Sequence, residues 1–210
     1  MTRAWILKSR PQGPASLDNF ELREREEVPL EEGMIRVRNR WLSVDPYMRG
    51  RMNDVKSYLP PFELDKPLEG GPVGTVIESR SPHFKEGDKV FHMYGWRDEA
   101  VGPAEKFNKV PALEVPDEQW LGNLGLTGAT AYFGLLRVAE AKEGETVFVS
   151  AAAGAVGSAV VQIAKAKGMT VIGPAGGEEK CAFVREIGAD AAIDYKAGPV
   201  LKALAGAAPN

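Results

Sequence analysis

Over roughly its first 120 residues the chain alternates apolar and polar positions at a period of two, in short runs separated by turn residues. Ile35, Val37, Asn39 and Trp41 alternate with Arg36, Arg38 and Arg40, which predicts a strand with one face on a core and its arginines in water. Gly70-Gly-Pro-Val-Gly74 ahead of Thr75-Val-Ile77 reads as a turn feeding a strand, as does Glu86-Gly-Asp88 ahead of Lys89-Val-Phe91. This region is expected to be mostly β with few helices. The period changes near residue 121. Leu126 to Val138 reads as helix, and Thr146-Val-Phe-Val149 as a strand. Val156, Val160, Ile163, Ala164 and Lys167 then fall at helical spacing, with Gly168 placed to stop the helix. Met169 to Ile172 is the next strand. Glu178 to Ile187 is a second helix closed by Gly188, with Cys181, Val184 and Ile187 on one face, and Ala191 to Ile193 is a third strand. The β-α-β-α-β succession is half of a doubly wound, Rossmann-type nucleotide-binding fold, so the chain divides into 1–120 and 121–210.

Composition changes this picture little. At 44% hydrophobic and 26% charged residues, the chain should bury a packed core. Lys+Arg 26 against Asp+Glu 29 gives a net charge of -3, without the basic excess that draws a protein to nucleic acid or anionic lipid. Neither is expected as a partner. One cysteine, Cys181, and two histidines, His83 and His92, exclude a cysteine-rich zinc site, and no metal is expected. They also supply no Ser-His-Asp or Cys-His pair for a hydrolase. The first residues lack the apolar stretch of a signal peptide, so the cytoplasm is the expected location. Thr146 to Ala164 runs 19 residues without a charge, but Ser150, Gly154, Gly157, Ser158 and Gln162 interrupt it. A buried strand running into a helix accounts for it better than a membrane span.

Between that strand and its helix lies Ala151-Ala-Ala-Gly-Ala-Val-Gly157, an A-x-G-x-x-G form of the dinucleotide fingerprint. Gly154 would let backbone approach a pyrophosphate, the amides of Ala155 and Val156 would point at its charge, and Gly157 would allow close helix–strand packing. A tight turn without a ligand has the same glycines, and the strand–loop–helix–strand context favours the nucleotide. The second strand leads into Gly173-Pro-Ala-Gly-Gly177 with no acid at its tip to take a ribose 2′-hydroxyl. Gly176 leaves room for a 2′-phosphate and Lys180 could pair with it, which favours NADP. Spacing alone also fits Lys180 as a solvated helix lysine beside Glu178 and Glu179.

The whole chain resembles the zinc-independent medium-chain dehydrogenase/reductases, in the branch of prostaglandin reductases, leukotriene dehydrogenases, alkenal double-bond reductases and bacterial curcumin reductase. The resemblance rests on Leu42-Ser-Val-Asp-Pro-Tyr-Met-Arg-Gly-Arg-Met52, Leu124-Gly-Leu-Thr-Gly-Ala-Thr-Ala-Tyr132, Lys142 to Val147, the Ala151–Gly157 loop, Ala175 to Lys180, and Asp194-Tyr-Lys196. It implies a GroES-like β domain before the Rossmann half, NADPH as cofactor, and reduction of a carbon–carbon double bond conjugated to a carbonyl. Lys180 and Tyr195 match the branch's 2′-phosphate contacts, and Gly176 its adenosine-ribose turn. Tyr47 matches a tyrosine facing the substrate, although a tyrosine after Asp45-Pro46 would equally suit simple packing. Gly70 to Gly74 has neither the histidine nor the glutamate of the zinc-binding relatives.

Thr127 departs from the branch's usual proline. The family's Rossmann sheet has six strands where residues 145–210 supply three, so the resemblance implies a chain cut short; separately, a homodimer is expected of the complete protein. A quinone reductase of the related zinc-free branch, and an inactive NADPH-binding fragment, are the other readings that the motifs allow.

Overall fold

The computed structural model describes residues 1–208. Its internal packing divides the chain into two units, Met1–Leu121 and a second beginning at Gly122.

The first unit is β-rich. Strands β1 (Thr2–Leu7) and β2 (Phe20–Arg25) form an antiparallel pair. A five-stranded antiparallel sheet follows, built from β3 (Met34–Leu42), β4 (Pro72–Ser79), β5 (Lys89–His92), β6 (Glu99–Pro103) and β7 (Phe107–Lys109), in the order β6-β3-β4-β5-β7. Its core is Ile35, Val37, Val76, Val90, Ala100, Ala104 and Phe107. The unit's α-helix, α1 (Pro46–Arg51), buries Met48 beside Leu7, Met52, Phe62 and Leu68.

Two expectations for this unit are corrected. Arg36 is not in water: it is buried, with Nε 3.1 Å from Glu78, Nη2 donating to the Val28 carbonyl at 3.0 Å, and Glu99 within 3.9 Å. The alternation it belongs to also breaks where β3 slips register between Asn39 and Trp41, which leaves Trp41 exposed. Secondly, Pro72, Val73 and Gly74 lie inside β4 rather than in a turn before it. Proline is tolerated as the first residue of a strand. Gly74 faces the irregular stretch of β3, where a Cβ would collide with the Arg38 carbonyl and press on the Val37 side chain, so the glycine serves close backbone approach.

The second unit opens with α2 (Leu126–Phe133), whose end widens into a π turn over Gly134–Val138. Three parallel strands, β8 (Thr146–Phe148), β9 (Thr170–Ala175) and β10 (Ala191–Asp194), then alternate with α3 (Ala155–Ala166), α4 (Glu178–Glu186) and α5 (Val200–Ala207). The strand order β10-β9-β8 is the 3-2-1 succession of a doubly wound half-sheet. The fold class is therefore the one expected: a β-rich unit followed by the first half of a Rossmann sheet. β9 is buried from Val171 to Ala175, the near-continuous burial of a parallel strand covered on both faces. β8 is less buried than expected, with Phe148 exposed, because among the described residues it pairs on one side only. The buried line of α3 runs through Gly157, Ala159, Val161 and Ala164, and Val156 at its start is exposed. Among the described residues no helix is long and apolar enough to cross a membrane.

Candidate nucleotide-binding site

Parallel strands with helices between them bring three loops to one edge, the carboxyl end of the sheet, where doubly wound folds hold their ligands. The first loop joins β8 to α3. Ala151 sits at φ 50, a left-handed conformation costly for a residue with a Cβ, and its carbonyl accepts the Gly154 amide at 2.8 Å. Gly157 is buried against this turn, and a Cβ there would collide with the Ala151 carbonyl and the Ala152 backbone. Gly154 caps α3 with extended backbone and no side-chain cap. The first intrahelical bond runs from Ser158 N to Gly154 O, at 2.8 Å. The amides of Ala155, Val156 and Gly157 precede it, which is the unsatisfied, positive end of a helix dipole. Ala155 and Val156 are exposed there.

The second loop joins β9 to α4, and the third follows β10. Gly177 caps α4 at φ +94, open only to a residue without a Cβ. Gly176 lies under Tyr195, whose hydroxyl a Cβ at 176 would strike. Tyr195 N donates to the Ala175 carbonyl at 3.2 Å, which joins the two loops, and its ring is about half exposed. Lys180 is exposed in the first turn of α4 and takes part in no ion pair among the described residues. The nearest acids divide: Glu178 pairs with Arg185, two turns further along the same face of α4, and Glu179 is exposed. The structure thus brings Gly176, Lys180 and Tyr195 to adjacent loops of one unit, alongside Gly154, Ala155, Val156 and Gly157.

Sequence reasoning quoted Asp194, at the tip of β10, within a motif but gave it no role. Its Oδ1 accepts the amides of Gly177 and Lys196, each at 2.9 Å, and these bonds hold its carboxyl below the usual carboxylate range. Cys181 is buried beneath the same loops, and burial pushes its thiol up, so it is packing rather than a nucleophile.

Tyr47 lies in the first unit, on α1. Ser43 Oγ donates to Asp45 at 2.8 Å, and Arg51, four residues after Tyr47, donates to the Pro60 carbonyl at 2.8 Å and to Glu69 at 2.6 Å with its guanidinium 4.2 Å over the Phe62 ring. Within this frame the Tyr47 hydroxyl is enclosed and has no hydrogen-bond partner. Burial, and then the charge of Asp45, push its pKa up, so it keeps its proton at neutral pH. His92 has no such freedom. Its Nδ1 accepts the Tyr94 amide at 3.2 Å, which leaves the proton on Nε2 to donate to Asn39 Oδ1 at 2.9 Å; Asn39 in turn donates to the Arg97 carbonyl.

Known proteins resemble the chain in sequence and in fold. Residues 3–110 match the family described as the N-terminal domain of oxidoreductase, and residues 155–209 the family described as zinc-binding dehydrogenase. The chain belongs to the medium-chain dehydrogenase/reductase family. It is 42% identical over 209 residues to the NADPH-dependent curcumin reductase of Escherichia coli (strain K12), covering 99% of this chain and 61% of that one. It is 40% identical over 197 residues to the NADP(+)-dependent 2-alkenal reductase of Nicotiana tabacum, covering 91% and 57%. The solved structure of CurA from Vibrio vulnificus in complex with NADPH superposes with a TM-score of 0.89 at 42% identity, covering 97% and 61%. The chain therefore spans about 60% of the length of these relatives. A zinc site does not fit this chain. Residues 155–209 hold one cysteine and no histidine, and among the described residues no three His, Cys, Asp or Glu side chains cluster as metal ligands would.

Proposed function

We propose that this protein is an NADPH-dependent reductase of carbon–carbon double bonds conjugated to a ketone or aldehyde. The observation that carries the reading is the pairing of an open helix N-terminus after β8 with a β9 end that has no acid, where Gly176 leads to Lys180 in the first turn of α4 and Tyr195, from the turn after β10, lies across Gly176. The amides of Ala155 and Val156 would hold the pyrophosphate of NADPH, Gly154 would let it approach, and Gly157 keeps α3 against its strand. Lys180 and Tyr195 would take the 2′-phosphate. The chemistry that NADPH would supply when held there is a hydride for the β-carbon of the substrate.

Negative charge then develops on the carbonyl oxygen, and the protein must meet it with a donor. We assign that donor to the Tyr47 hydroxyl, which is protonated at neutral pH and has no partner of its own. A donor aimed at a developing oxyanion contributes about 2.7–4 kcal/mol where such groups have been removed. The names of the relatives support the substrate class, one being a curcumin reductase and one a 2-alkenal reductase. The test is NADPH oxidation with an α,β-unsaturated ketone, with the product checked for the saturated ketone. Oxidation with a quinone and none with the enone would replace this reading by that of a quinone reductase.

A further inference from the structure

A doubly wound sheet commonly places a carboxylate at a strand tip, where it accepts hydrogen bonds from a ribose and repels a 2′-phosphate. The tip of β9 has none, yet Asp194, at the tip of the adjacent β10, opposes Ala175 of β9 across the parallel pairing. A negative charge one strand from the proposed phosphate site calls for an account. Its Oδ1 accepts two backbone amides, Lys196 within its own turn and Gly177 in the neighbouring loop, each at 2.9 Å. Both lone pairs of that oxygen are thereby committed to the protein. The Gly177 bond fixes the glycine that caps α4, whose first turn carries Lys180; the Lys196 bond fixes the turn that begins at Tyr195, the residue lying across Gly176.

We infer that Asp194 is a positioning residue that sets selectivity for a 2′-phosphorylated nucleotide, by stapling the loop of Gly176 and Gly177 to the turn of Tyr195 with one carboxylate oxygen. This rests on the proposed NADPH site and adds a residue to it. One of the two amides it accepts, that of Gly177, lies at the positive end of α4, which offsets the carboxylate's charge. Asparagine at this position keeps an oxygen in the same place without the charge. Alanine removes both bonds, and glutamate displaces the oxygen by a methylene.

The experiment titrates the full chain and its Asp194→Ala, Asp194→Asn and Asp194→Glu variants with adenosine 2′,5′-bisphosphate and with AMP, and follows hydrogen exchange of the Gly177 and Lys196 amides without ligand. For Asp194→Ala we expect bisphosphate affinity to fall roughly tenfold, AMP affinity to change by less than about twofold, and both amides to exchange faster. Asp194→Asn should keep both amides protected and bind the bisphosphate at least as tightly as the unaltered chain. Equal losses of both nucleotides in Asp194→Ala, or an unchanged preference, overturn the inference while leaving the NADPH site standing. If Asp194→Ala does not fold, Asp194→Glu decides, and a preference within about twofold of the unaltered chain overturns the inference. An unaltered chain with no preference for the bisphosphate overturns the NADPH reading itself, and this inference with it.

Discussion

In the β unit, buried polar side chains are mostly closed on one another. Arg36 is taken up by Glu78, Glu99 and the Val28 carbonyl, Arg51 by Pro60 and Glu69, and His92 by Asn39 and the Tyr94 amide. In the α/β unit, polar groups at the strand tips are left open: the amides that begin α3 precede its first intrahelical bond, the Lys180 ammonium is exposed and in no ion pair among the described residues, and the Tyr195 side chain lies half-exposed across Gly176. Buried polar groups cost stability unless paired, so a fold pairs them wherever structure is their purpose. The open groups gathered at one edge are where we propose that the nucleotide binds, and the closed network is read as scaffold. Two atoms of the β unit break the pattern, the Tyr47 hydroxyl and Arg97 Nε, both enclosed and unpartnered. Tyr47 is accordingly the place in that unit where chemistry is to be sought.

The largest expected effect tests the closed network. Burial holds the His92 pKa down at about 3, against an ordinary value of 6.5 in the unfolded chain. The unfolded state thus binds a proton between those values that the folded state refuses, so stability is complete above pH 6.5 and falls as pH drops toward 3. The full loss is about 5 kcal/mol from this one group, at about 1.4 kcal/mol per pH unit within the window. Denaturant titrations of the chain and of His92→Gln between pH 7 and 5 should show a steep pH dependence in the first and a flatter one in the second. Equal slopes would mean that His92 is not sealed.

The open site should respond in binding rather than in stability. Lys180→Ala is expected to weaken NADPH about 10- to 150-fold and leave NADH nearly unchanged, from the 1.5–3 kcal/mol of a charge-assisted contact. Calorimetric titration with both nucleotides measures it; equal losses would return Lys180 to the status of a solvated lysine.

Gly157 and Gly134 form a matched pair. Alanine in a helix normally gains up to about 1 kcal/mol over glycine, and Gly134→Ala, with open space where its Cβ would go, should show that gain. Gly157→Ala should instead lose about 1–3 kcal/mol, because its Cβ meets the backbone of Ala151 and Ala152. Thermal denaturation of the two variants gives opposite signs if the turn before α3 is as tight as the structure has it.

The smallest expected change in stability belongs to the most diagnostic variant. Tyr47→Phe deletes a buried hydroxyl with no partner and keeps the ring, so stability should rise by about 1 kcal/mol. On an enone substrate kcat and kcat/KM should fall together. A gain in stability with unchanged turnover would make Tyr47 a packing residue, and a loss of stability would mean that its hydroxyl has a partner.

What the sequence determined by itself is local. The glycine loop, the helix stop at Gly168, the missing acid at the end of β9 and the β-α-β-α-β succession were legible because each depends on residues within a turn or two of one another. What the tertiary structure decided depends on partners far apart in the chain. Arg36 reads as a solvated strand arginine until Glu78, 42 residues on, is brought beside it, and His92 as an idle histidine until Asn39, 53 residues back, fixes its tautomer. Asp194 shows no role until strand pairing sets it against Gly177, 17 residues earlier. Periodicity reports which face of an element meets the core, but a polar side chain acquires its role from the group that folding places opposite it.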